Sequence, residues 1–137
     1  MGCFMEEITL ENVLDRGDAN RGYIKESQVR LLKVDAVPDT GAWTLVINEE
    51  VRQKLGLEIE GKCHSTLADG KSSTYPLTQA VKVQWKDRFS VHQAVVVTDA
   101  KDVLLGALPL EAMDLAVDPV HQTLVGAHGD TASYQLY

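Results

Sequence analysis

The chain has 137 residues, 45% of them hydrophobic and 24% charged, with a formal net charge of −7. That is the size of one domain with enough apolar residues for a core. Scattered Lys and Arg in an acidic chain argue against a nucleic-acid partner, because phosphate binding needs a basic patch.

No apolar run is long enough to cross a bilayer. The first residues, Met1-Gly2-Cys3-Phe4-Met5-Glu6-Glu7, lack the basic start and apolar stretch of a secretory signal. Cys3 and Cys63 form no close pair and no metal-type spacing. A cytoplasmic protein with reduced thiols, no membrane partner and no nucleic-acid partner is the expectation.

In chain order, Ile8 to Leu14 alternates apolar and polar residues, as a half-buried strand does, and stops at the turn-forming cluster Asp15-Arg16-Gly17-Asp18. Val29 to Val37 is rich in aliphatic and β-branched residues and ends at Pro38-Asp39-Thr40-Gly41. Leu45-Val46-Ile47 reads as a short buried strand. A helix follows, with Asn48 as its cap, Glu49 and Glu50 at its positive end and Gly56 to stop it. Cys63 to Leu67 and Ser72 to Val83 are extended runs separated by Ala68-Asp69-Gly70-Lys71, and Asp-Gly between such runs predicts a hairpin. Phe89 to Val97 and Val103 to Leu105 are further strands, Pro109 to Leu115 a short helix, and Val117 to Val125 a closing strand. Residues 1–126 are thus expected to form a single domain, and 127–137 a loose tail.

Many short strands with little helix predict a mostly β, closed or sandwiched sheet. Gly70-Lys71-Ser72 resembles the end of a phosphate-binding loop, but the glycine that pattern needs five residues earlier is Ser65. His64, His92, His121 and His128 show no metal-ligand spacing, and there is no Gly-x-Ser-x-Gly element. Neither a metal nor another cofactor is expected.

The residues that carry chemistry are Asp39-Thr40-Gly41-Ala42, directly after an apolar strand, and, well downstream, Leu104-Leu105-Gly106. With the hairpin between them, this ordered set resembles the retropepsin-like aspartic peptidases, in particular small bacterial relatives of the retroviral enzymes. The resemblance runs from about Val29 to Gly126 and implies a closed, orthogonal β-barrel with one or two short helices. It assigns catalysis to Asp39, Thr40 and Gly41. It gives the substrate cleft and its flap to Ala42, Trp43, Ala68, Asp69, Gly70, Leu105 and Gly106.

Two carboxylates held about 3 Å apart cannot both ionise, so in aspartic peptidases they share a proton, one acting as base and the other as acid. The chain has one Asp-Thr-Gly, so the resemblance implies that the second carboxylate is Asp39 of another copy in a homodimer cleaving a peptide or protein substrate. It also implies that the Thr40 hydroxyl locks the two turns together. Retroviral enzymes carry an acid just after Asp-Thr-Gly-Ala and an arginine just after the downstream glycine; here those positions are Trp43 and Ala107. The alternative expectation is a catalytically inactive peptide-binding or interaction module on the same fold.

Overall fold

The computed structural model describes residues 4–66 and 69–136. Nine strands and three short helices follow one another: β1 (Glu6–Asn12), α1 (Val13–Asn20), β2 (Leu31–Pro38), β3 (Val46–Ile47), α2 (Glu49–Leu55), β4 (Ile59–Thr66), β5 (Ser72–Trp85), β6 (Arg88–Val96), β7 (Val103–Leu105), α3 (Ala107–Ala112), β8 (Leu115–Asp118) and β9 (Thr123–Gly126). One 3-10 turn, Glu26–Gln28, precedes β2. Among these residues no helix is long and apolar enough to cross a membrane.

Six strands close on themselves in the order β1, β2, β7, β3, β6, β5, with β5 pairing back onto β1. The closure follows from two-residue periodicity. In β1, Ile8, Leu10 and Asn12 point into the barrel while Glu7, Thr9 and Glu11 do not, and in β5 Val81, Val83 and Trp85 do the same. Leu10 stands opposite both Leu32 and Val83, so one inward position serves two seams. Leu45, Ile47, Leu55, Leu57, Leu105 and Met113 fill the remaining interior. A ring has no open edge, which satisfies the backbone groups that a flat sheet would leave exposed.

Helix α2 forms where its caps predict it. Asn48 Oδ1 accepts the Val51 amide at 2.9 Å, and Gly56 takes the left-handed conformation (φ 63°) that stops the helix. Three segments differ from the sequence reading. The Asp15–Asp18 cluster is not a turn but the body of α1, because Asn12 Oδ1 accepts the Asp15 amide at 3.0 Å and caps a helix there. The single closing strand expected over 117–125 is a hairpin, β8 and β9, forming its own two-stranded sheet. Asp118 turns the chain there, its Oδ1 accepting the Val120 and His121 amides. Helix α3 starts two residues before Pro109, which sits in the first turn where its missing N–H costs nothing.

Asn12 is fully buried and joins four elements. Its Nδ2 donates to the Leu55 carbonyl at 2.9 Å, and its Oδ1 accepts from Asp15 N and from Gln79 Nε2 at 3.0 Å each. Gln79 in turn accepts the Glu58 amide at 3.0 Å. Among the described residues, no buried side-chain polar atom lacks a partner. Asn12→Ala would leave the Gln79 amide group and the Leu55 carbonyl unpaired and uncap α1. We expect it to lower unfolding free energy by about 2–4 kcal/mol in urea titrations; a loss below about 1 kcal/mol would show that water replaces the side chain.

Candidate active site

Parallel pairing of β2 with β7 sets Val37 beside Leu104 and Pro38 beside Leu105, so both strands end at one rim of the barrel. The loop leaving β2 is fixed there by its own backbone. The Asp39 amide donates to the Leu105 carbonyl at 2.9 Å, and the Asp39 carbonyl accepts the Ala42 amide at 3.1 Å. The carboxylate is half-buried, and its Oδ1 accepts the Gly41 amide at 2.9 Å. A Cβ on Gly41 would stand 3.1 Å from that oxygen, so glycine lets the backbone curl around the carboxylate. Thr40 is exposed at the tip of the loop.

Gly106 is the second contact point. A Cβ there would lie 2.3 Å from the Thr44 carbonyl oxygen and 2.7 Å from that of Ala42. The Ala107 amide then donates to the Ala42 carbonyl at 2.8 Å, and the Leu108 amide to the Trp43 carbonyl at 3.0 Å. These are the first amides of α3, which have no acceptor within their own helix. The loop carrying Asp39 is thus pinned on both sides.

Above the loop lies a cleft of about 480 Å³. Asp39, Gly41, Ala42, Trp43 and Thr44 form its floor, Val46, Val95, Val97 and Leu104 its apolar wall, and Cys63 to Thr66 with Tyr75 its roof. The roof belongs to the hairpin of β4 and β5, in which Cys63 pairs directly with Tyr75 and Thr66 with Ser72. Both Cys63 and Tyr75 are half-buried while their neighbours His64 and Thr74 are exposed, so the Cys63–Tyr75 face looks onto the cleft. An apolar wall, a few polar groups and one carboxylate suit an extended peptide whose backbone can hydrogen-bond the hairpin. Among the described residues no group of three or more His, Cys, Asp or Glu side chains is arranged to hold a metal ion.

The predicted site residues fall into three groups. Asp39, Gly41, Ala42 and Trp43 meet in the cleft, Trp43 with 55% of its surface exposed. Leu105 and Gly106 stand behind it. Leu105 turns into the barrel core and offers only its carbonyl, while Leu104, one residue earlier on the alternating strand, reaches the cleft. Asp69 and Gly70 form the exposed hairpin tip, where Asp69 Oδ1 accepts the Lys71 amide at 3.0 Å and Gly70 has φ 84°. Ala68 lies outside the described residues.

Sequence reasoning did not single out Tyr75, Cys63 or the Val95–Val97 wall. The register of the hairpin, counted outward from its tip, was the signal that could have found the first two.

Residues 23–108 match the sequence model of a family described as aspartyl protease. The matched span runs from before β2 into α3, and so contains the Asp39 loop, the hairpin and Gly106. Among solved structures, a retropepsin-like aspartic protease from Rickettsia conorii is similar at 19% identity, over 85% of this chain and 88% of that one, with a TM-score of 0.46. A comparison with curated proteins gives no match.

Gly106→Ala tests the close approach. The added methyl would meet backbone on two sides, and backbone cannot step aside as a flexible side chain can. We expect a loss of about 1–3 kcal/mol or more in stability, with faster hydrogen exchange at the Ala107 and Leu108 amides.

Proposed function

The chain belongs to the aspartyl protease family, and from that premise we propose that it is an aspartic endopeptidase acting as a homodimer, with one Asp39 from each subunit. The observation that carries this reading is the placing of the Asp39 carboxylate on the floor of a cleft roofed by a hairpin. A lone carboxyl group cannot serve at once as base for the attacking water and acid for the carbonyl oxygen. Two of them sharing a proton supply both a base for the attacking water and an acid for the carbonyl oxygen.

The Asp39 loop lies at the rim of the barrel with Thr40 exposed at its tip, which leaves room for a second loop to approach about a two-fold axis. In that arrangement the Thr40 hydroxyl would bridge the two loops. Gly41 would keep the backbone clear of the carboxylates, while Ala42 and Trp43 would border the bound peptide. The hairpin would close over substrate and exclude water, a common role for such flaps. The pair would titrate in two macroscopic steps belonging to both carboxylates together, giving a bell-shaped activity profile.

One observation favours a second reading, a peptide-binding module without turnover. Trp43 and Ala107 replace the acid–arginine pair of the retroviral enzymes, so the subunits cannot be joined by that ion pair. The two readings separate on one substitution. Incubated with a diverse peptide mixture from acid to neutral pH, the wild type is expected to cleave, and Asp39→Asn to lose activity by about 10²–10⁴-fold. Light scattering over a concentration series is expected to show a dimer for both. Equal products from the two proteins, or peptide binding without cleavage by either, would sink the peptidase reading.

A further inference from the structure

Residues 127–136 have no helix or strand, yet several of them are hydrogen-bonded to the barrel around the C-terminal end of α3. The Tyr134 hydroxyl donates to the Ala112 carbonyl at 2.6 Å. The Ala127 amide donates to the Asp114 carbonyl at 2.8 Å. The Asp114 carboxylate, itself buried, accepts the Ser133 amide at 2.9 Å and meets His128 Nδ1 at 2.7 Å. Buried Arg88, at the start of β6, completes the clasp by donating to the carbonyls of Met113 and Asp114 and to that of Gly129 in the strap.

The last carbonyls of a helix have no partner within it; here those of Pro109 and Glu111 accept the Met113 and Asp114 amides, that of Ala112 accepts Tyr134 of the strap, and Arg88 and Ala127 take the carbonyls of Met113 and Asp114 just beyond the helix. Asp114 has φ 54°, the left-handed conformation that ends a helix. At its other end, α3 gives its first free amides, those of Ala107 and Leu108, to the carbonyls of Ala42 and Trp43 in the Asp39 loop. A helix of six residues is about 9 Å long. The strap and the candidate catalytic loop therefore grip opposite ends of one short, stiff rod.

We propose that the C-terminal strap is a positioning element for the Asp39 loop. By fastening the far end of α3 through Asp114 and Tyr134, it fixes the near end against Ala42 and Trp43. Its contribution to catalysis rests on the peptidase reading above, but its effect on the loop does not. Asp114 and Tyr134 act through α3 and are positioning residues.

The charged groups facing Asp114 are Arg88 from β6, its Nη1 3.9 Å away, and His128 from the strap; Glu111, one turn back on α3, is exposed. The Ser133 amide, then His128, hold the Asp114 carboxyl below the usual carboxylate range. A carboxyl lowered by folding stabilises above its unfolded value of about 3.9. That stabilisation is lost as pH falls through the lowered value. The contacts of Ser133 and His128 with the Asp114 carboxylate therefore weaken in stronger acid, while the bonds made by Tyr134, Ala127 and Arg88 do not involve that group.

The test compares the wild type with Tyr134→Phe, Asp114→Asn and a chain ending at Gly126, reading residue-resolved hydrogen exchange and, with a cleaved peptide, kcat and KM. Tyr134→Phe removes one hydroxyl and is expected to speed exchange at Ala107 and Leu108 by about 2–10-fold. Asp114→Asn and the shortened chain are expected to speed it further, with kcat falling more than KM changes. Wild-type protection of the Ser133 amide is expected to persist at mildly acid pH and to fall in stronger acid. A shortened chain that folds with unchanged exchange at Ala107 and Leu108 overturns the proposal. If that chain does not fold, unchanged exchange in Tyr134→Phe overturns it. A wild type that cleaves nothing overturns the peptidase reading instead, and the exchange comparison still decides the role of the strap.

Discussion

At Gly106 the chain leaving β7 passes within 2.3 Å, measured from where a Cβ would sit, of the Thr44 carbonyl. No other residue type fits that gap, and the packing of the candidate site follows from it. The approach lets the first amides of α3 reach the carbonyls of Ala42 and Trp43, while the Asp39 amide takes the carbonyl of Leu105 next door. The position of the carboxylate is thereby set by backbone contacts and one glycine rather than by side chains that could relax. This explains how Trp43 and Ala107 can depart from the retroviral pattern without disturbing the loop: their backbone groups do the pinning, and their side chains are free to differ.

The parts of the fold legible in the sequence are those whose physics is local. Asn48 and Gly56 mark the ends of α2 because a cap needs a side-chain acceptor at one end and a left-handed residue at the other. Asp69-Gly70 marks a hairpin because positive φ is required at its tip. Asp39-Thr40-Gly41 is visible as a motif, and the loop it forms stands on the cleft floor.

What was hidden depends on partners distant in the chain. Asn12 turns an apparent loop at Asp15 into a helix, and its own orientation depends on Leu55 and Gln79. Whether Leu104 or Leu105 faces the cleft depends on the pairing of β7 with β2, a single-residue choice that the apolar run cannot reveal. Residues 127–136 carry no periodic pattern, and the bonds they make with Arg88, Asp114 and the Ala112 carbonyl join them to residues distant in the chain. The roof of the cleft was half legible: the hairpin was evident, the inward Cys63–Tyr75 pair was not.

The long-range seams of the barrel bear on how the chain reaches this state. Ala36 pairs with Val103, and Leu10 with Val83, so the ring closes through segments far apart in sequence. Each such closure must meet its loop entropy before contacts repay it, and topologies of this kind fold in about milliseconds to seconds rather than microseconds. The carbonyl that receives the Asp39 amide sits on β7, among the later strands to be made. A nascent or partly folded chain consequently has no seat for Asp39 and no cleft above it, and the site comes into being only with the finished barrel.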